Sequence, residues 1–168
     1  MRTTWTRREL IVTTAASVAA LAFTRPGWAQ PASVPQSKKP MKIGIIGSGQ
    51  QGGSVGLNWA RAGHEVFFSS RKPEELKDLV ASAGPKARAG LPQDAAKFGD
   101  VILIAVPYGA LPQVGKDYAP LMKGKIVIDC GNAREDRDGA ITKDVETRGT
   151  GTTSAELLPG VQIGRAHV

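Results

Sequence analysis

Cysteine is almost absent: Cys130 is the only one among 168 residues, so no intramolecular disulfide can form. It closes an apolar run, where a buried and inert thiol fits better than a reactive one. Imidazole is as scarce. His64 and His167 have no partners at ligand spacing, which argues against a structural or catalytic metal. No nucleophile–base arrangement or carboxylate pair stands out, and no catalytic residue is assigned. Aromatic residues make up 5% of the chain, and no basic stripe interleaves with them. The formal charge of +7 falls to +4 once four arginines and one glutamate of the first 29 residues are set aside. That is too little to argue nucleic-acid binding, though mild basicity helps to attract an anion. A long membrane span is missing too. The apolar run ending at Phe23 is shorter than the ~20 residues needed and rich in alanine and threonine.

What precedes and follows that run explains it. Arg7-Arg8 opens the run and Gly27-Trp28-Ala29 supplies small residues at cleavage positions, so residues 1–29 are expected to be a twin-arginine signal peptide. The implied address is the periplasm or another exported location, without stable membrane insertion after cleavage. Residues 30–40, QPASVPQSKKP, lack apolar periodicity and are expected to be a flexible linker. The folded domain is expected at 41–162, long enough for one core but not for two.

The richest signal is Lys42 to Gly53, KIGIIGSGQQGG, an apolar strand that breaks into glycines and turns helical. Gly47 permits the tight turn, Gly49 lets the backbone approach a pyrophosphate, and Gly52 lets helix pack on strand. A dinucleotide would place its phosphates on the helix N-terminus. Val55, Leu57, Trp59, Ala60 and Ala62 form that helix's apolar surface, Gly63 ends it, and 64–68 is a second strand. The unit requires a parallel, right-handed crossover.

The cofactor is decided after that second strand, about twenty residues past the glycines, where NAD-binding proteins place Asp or Glu. This chain has Ser69-Ser70-Arg71-Lys72 instead. Two hydroxyls and two cations suit the 2′-phosphate of NADP, Arg71 as a planar fork and Lys72 as a mobile point charge. The competing reading is a solvated loop leading into the helix at Pro73.

Further strands are expected at 87–90, 100–106 and 125–129, with helices at 73–83, 92–98 and 110–122 between them. The result is an α/β, doubly wound parallel sheet. Loops after Val106 and Asp129 then join the glycine loop along one edge. Val106 and Pro107 could line ribose and nicotinamide, and Asn132 could bond the ribose or carboxamide. Tyr108 is a candidate to pack on the nicotinamide ring, with loop packing as the alternative. Asp129 reads as a turn-capping carboxylate rather than a general base. The charged, glycine-punctuated stretch 134–151 is expected to be a mobile surface loop, with a helix at 153–158 after it.

KIGIIGSGQQGG, AGHEVFFSSRK, GDVILIAVPYGAL, KIVIDCGNA and SAELLPGVQI together resemble the NADP oxidoreductase family that includes coenzyme F420-dependent NADP reductase. The resemblance implies a Rossmann fold and hydride transfer to a flavin-like or other small second substrate, with few acid–base groups needed. It also implies that Ser48, Gln50 and Gln51 contact the phosphates, and that Ser70 and Arg71 contact the 2′-phosphate. A lysine common in that family is replaced here by Glu74 and Glu75 at the helix start. The family continues into a C-terminal helical region that completes the second substrate's pocket and a homodimer, which this chain lacks. Residues 163–168, IGRAHV, also translate a common sequencing-adapter segment, so a non-native tail is expected there, on a naturally longer protein.

Overall fold

The computed structural model describes residues 39–165. The expected leader at 1–29, the linker up to residue 38 and the last three residues lie outside the described residues. Strand β1 (Lys42–Ile46) leads through the glycine turn into α1 (Gln50–Arg61), and β2 (Glu65–Ser69) follows. Pro73–Leu76 is a single 3-10 turn before α2 (Lys77–Ala83), so the helix expected across 73–83 starts in a tighter winding. Then come β3 (Ala87–Gly90), α3 (Pro92–Phe98), β4 (Val101–Ile104), a 3-10 turn at Tyr108–Ala110, α4 (Leu111–Met122) and β5 (Ile126–Asp129). Three short helices, α5 (Glu135–Asp138), α6 (Ile141–Arg148) and α7 (Thr150–Leu157), precede β6 (Gln162–Arg165).

All five strand pairings are parallel and the order is β3-β2-β1-β4-β5-β6. This is the doubly wound Rossmann order, whose reversal between β1 and β4 opens a crevice at the carboxyl edge. Side-chain alternation fills both faces. Ile43, Ile45, Val66, Phe68 and Leu103 point to one layer, and Ile46, Ile102, Ile104 and Val127 to the other. Each fully buried branched side chain contributes roughly 1.5–3 kcal/mol. Close packing sets the helix distances: a Cβ on Gly56 would lie 2.3 Å from Ile45 Cδ1, and one on Gly44 would lie 2.1 Å from the Ala95 carbonyl oxygen. Helices α1 and α3 therefore press directly on opposite faces of β1.

The segment 134–151 is not the mobile loop expected. Its glycines end helices: Gly139 (φ 65°) follows α5 and Gly149 (φ 80°) follows α6, both in the backbone region glycine favours. Its charges close local bonds. Asp138 accepts from the Arg134 backbone N–H at 2.8 Å, and Arg148 Nη1 donates to both Glu156 oxygens at 2.8 and 2.6 Å. The helix expected at 153–158 begins earlier, at Thr150, where Gly149 lets the chain turn. Strand β6 pairs Gln162 to Arg165 with Ile126 to Asp129, so residues 163–165 extend the sheet.

Candidate functional site

Each glycine of the turn has a distinct surrounding. Gly47 holds φ 92°, and a Cβ there would strike the Ala105 carbonyl oxygen at 2.6 Å, so the turn is tight and pressed on the end of β4. A Cβ on Gly52 would lie 2.1 Å from the Gly47 oxygen. Gly49 faces open space, with nothing within 4 Å of a Cβ. It caps α1, whose first turn carries no acidic residue and no side-chain cap. Unengaged N–H groups, the positive helix end and a cradle that a methyl would fill suit a pyrophosphate.

Ser48 fastens this turn to β2. Its N–H donates to the Ser69 carbonyl at 2.9 Å, and its Oγ accepts from the Ser69 N–H at 2.9 Å. Ser69 is fully buried and its hydroxyl donates to the Ile45 carbonyl. Its assignment to the 2′-phosphate is therefore corrected: that hydroxyl is already engaged beneath the site. Ser70 Oγ accepts from the Lys72 N–H at 3.1 Å and shapes the next turn. Lys72 Nζ is paired with Glu75 at 3.3 Å on the surface. Arg71 is exposed and makes no hydrogen bond or ion pair with any described residue.

A cavity of about 500 Å³ brings Gly47, Gly49, Ser70, Arg71, Val106 and Pro107 onto one wall system. Its far side is Pro92, Val114 and Tyr118, with Gln113 and Asp117 joined by a 2.7 Å bond. These went unnoticed in the sequence, although positions 110, 113, 114, 117 and 118 share one helical face directly after the β4 loop. A second cavity, about 570 Å³, continues past Val106 and Pro107 to Gln50, Gln51, Ser54 and Arg137. Arg137 was also missed, because 134–151 read as loop.

Tyr108 does not reach either cavity. It is 1% exposed, and its hydroxyl bonds the Thr150 carbonyl at 3.2 Å and Ser154 Oγ at 2.9 Å. Stacking on a nicotinamide is thereby corrected to loop packing, driven by burial of the ring with its polar end satisfied. Asp129, 1% exposed, completes the same buried chain. Its Oδ1 accepts from the Gly131 N–H at 2.8 Å and its Oδ2 accepts from Ser154 Oγ at 2.6 Å. The turn-capping role holds, and no face is left for proton transfer. Asn132 is exposed, and its carbonyl accepts from Arg137 Nη2 at 2.7 Å. Cys130 Sγ donates to the Ile104 carbonyl at 3.2 Å, while burial and then Asp129 push its pKa up. The thiol stays protonated and inert.

The family described as NADP oxidoreductase, coenzyme F420-dependent, matches residues 42–133. An F420-dependent NADP reductase of Methanocaldococcus jannaschii is 35% identical over 101 residues, covering 54% of this chain and 45% of that protein. A solved hypothetical protein from Sinorhizobium meliloti superposes with a TM-score of 0.61 at 26% identity, over 75% of this chain and 60% of that one. A protein from Arthrobacter sp. FB24, provisionally assigned as an F420-dependent NADP reductase, gives a TM-score of 0.53 at 20% identity, over 74% and 61% of the two chains. The chain thus spans about half to three fifths of the length of these relatives.

Proposed function

The chain belongs to the coenzyme F420-dependent NADP oxidoreductase family, whose cofactor is NADP, and on that premise we propose that it binds NADP(H) for hydride transfer with a second substrate. One observation carries this reading: the cavity that joins the open Gly49 cradle to Arg71, an arginine with no partner among the described residues. NADP supplies the transferable hydride when bound. The chain's own residues bind and orient it. The α1 N-terminus receives the pyrophosphate, Ser70 and Arg71 receive the 2′-phosphate, and Val106 and Pro107 bound the ribose and nicotinamide. Hydride transfer needs a positioned ring more than an acid or base, so the chain's part is to bind and orient.

Dissociation constants for NADPH and NADH, measured for wild type and Arg71→Ala, test the reading. NADPH should be preferred, and the variant should lose about 1.5–3 kcal/mol, ten- to a hundredfold, on NADPH alone. Equal affinities in wild type would remove it. The acceptor is proposed to be a flavin- or deazaflavin-like compound or a small imine or carbonyl. Because the chain spans 45% of the archaeal relative, binding without turnover is the second reading, and NADPH oxidation with any acceptor separates the two. Export to the periplasm, supported by Arg7-Arg8, and homodimerisation complete the proposal.

A further inference from the structure

The second cavity holds an arginine that the cofactor reading does not use. Arg137 Nε and Nη2 donate to Asp138 at 3.0 and 2.7 Å, and Nη2 also donates to the Asn132 carbonyl. Asp138 itself is immobilised. Its side chain is 1% exposed, and it accepts from the backbone N–H groups of Gly109 and Arg134 at 2.9 and 2.8 Å. The Arg137 bond holds its carboxyl well below the usual carboxylate range, with the Gly109 and Arg134 bonds adding to this, so the anchor stays ionised at any working pH. The guanidinium is therefore fixed on one edge. Its remaining nitrogen, Nη1, has no partner among the described residues, although the side chain is 41% exposed.

This fork lines the same cavity as Gln50, Gln51, Val106 and Pro107, and Arg71 lines the other cavity that shares Val106 and Pro107. A dinucleotide lying over the glycine turn with its 2′-phosphate at Arg71 directs its nicotinamide toward this end. Resting on that reading, we infer that Arg137 is an anchor for an oxyanion, phosphate or carboxylate, on the second substrate, oriented by Asp138. Of the neighbouring charges, Arg134 pairs with Asp136 at 2.6 Å and Arg137 with Asp138, while Glu135 has no ion pair among the described residues, so the site offers directed N–H donors rather than a broad positive field. The cavity's apolar members, Val55, Ala105, Val106 and Pro107, suit an uncharged ring beside that anion.

FMN and riboflavin share one ring system and differ by a phosphate. Fluorescence titration of each against the chain, with and without saturating NADP⁺, should show FMN binding about tenfold tighter. Arg137→Gln should bring FMN to the riboflavin value and leave NADPH affinity unchanged; Arg137→Lys, which keeps the charge without the fork, should fall between. If Arg137→Gln fails to fold, the lysine variant carries the same comparison. The inference is overturned if wild type binds both flavins equally or not at all, or if FMN affinity ignores the substitution. It is also overturned if NADPH weakens as much as FMN, which would give Arg137 to the cofactor's pyrophosphate. A failed NADPH preference would instead strike the cofactor reading, since the flavin comparison without NADP⁺ is read separately.

Discussion

Replacing Gly49 or Gly52 by alanine adds the same methyl three residues apart, with opposite consequences. At Gly52 the new Cβ lies 2.1 Å from the Gly47 oxygen, more than about 1 Å inside ordinary contact, and 3.1 Å from Ala105 Cβ and Ile45 Cγ2, a few tenths of an ångström inside it. Helix α1 must retreat from β1, at a cost of about 1–3 kcal/mol. Alanine's better helix propensity offsets up to about 1 kcal/mol. The net loss, about 1–2 kcal/mol, lowers Tm by roughly 4–8 °C for a domain of this size. At Gly49 the backbone, φ −72° and ψ −156°, is open to any residue and the methyl touches nothing. The reduced freedom of the unfolded chain contributes about 0.4–1 kcal/mol, and alanine's weaker capping cancels most of it. Stability should hardly move. Ligand affinity should, because the methyl fills the space where a pyrophosphate must meet the backbone N–H groups: at least about tenfold, or 1.4 kcal/mol, on the NADPH dissociation constant. Thermal melts and fluorescence titrations on both variants read the two effects. Wild-type NADPH binding by Gly49→Ala would refute the cradle, and a wild-type melt for Gly52→Ala would refute the packing.

Tyr108→Phe should cost about 1–2 kcal/mol in urea unfolding, since the Thr150 carbonyl and Ser154 lose a buried partner, while NADPH affinity stays put. Weakened NADPH binding at unchanged stability would return Tyr108 to the nicotinamide. Glu75→Gln releases Lys72 from its surface pair and removes a negative charge beside Arg71, so NADPH should bind about two- to fivefold tighter and NADH as before. An unchanged NADPH constant would show that Lys72 takes no part.

The parallel core was readable because each signal there is local. β-branched runs such as Val101–Ile104, bounded by glycine and proline, have few alternatives to a buried strand, and the glycine spacing carries its own geometry. Where the reading failed, distant partners decided. Nothing near Tyr108 announces that its hydroxyl will meet Ser154, 46 residues away, nor does Ser69 reveal that it will bond Ile45. Ser69 and Ser70 look alike in sequence; the first is the last residue of β2 and lies buried, while the second falls just past the strand at the rim. The helices of 134–151 were hidden for another reason: glycine and paired charges mark both solvated loops and short capped helices, and only the Asp138 bonds to Gly109 and Arg134 choose between them.

The two bonds between Ser48 and Ser69 draw a line through the site. On one side, the phosphate cradle and the sheet are a single rigid piece that tolerates little change. On the other, Ser70 to Lys72 lie at the rim, held by backbone bonds to Gly90 and Glu75, and place no side chain in the buried core. On the proposed reading, coenzyme preference rests on this rim, and a lineage could exchange one nicotinamide dinucleotide for the other there by few substitutions without endangering the fold.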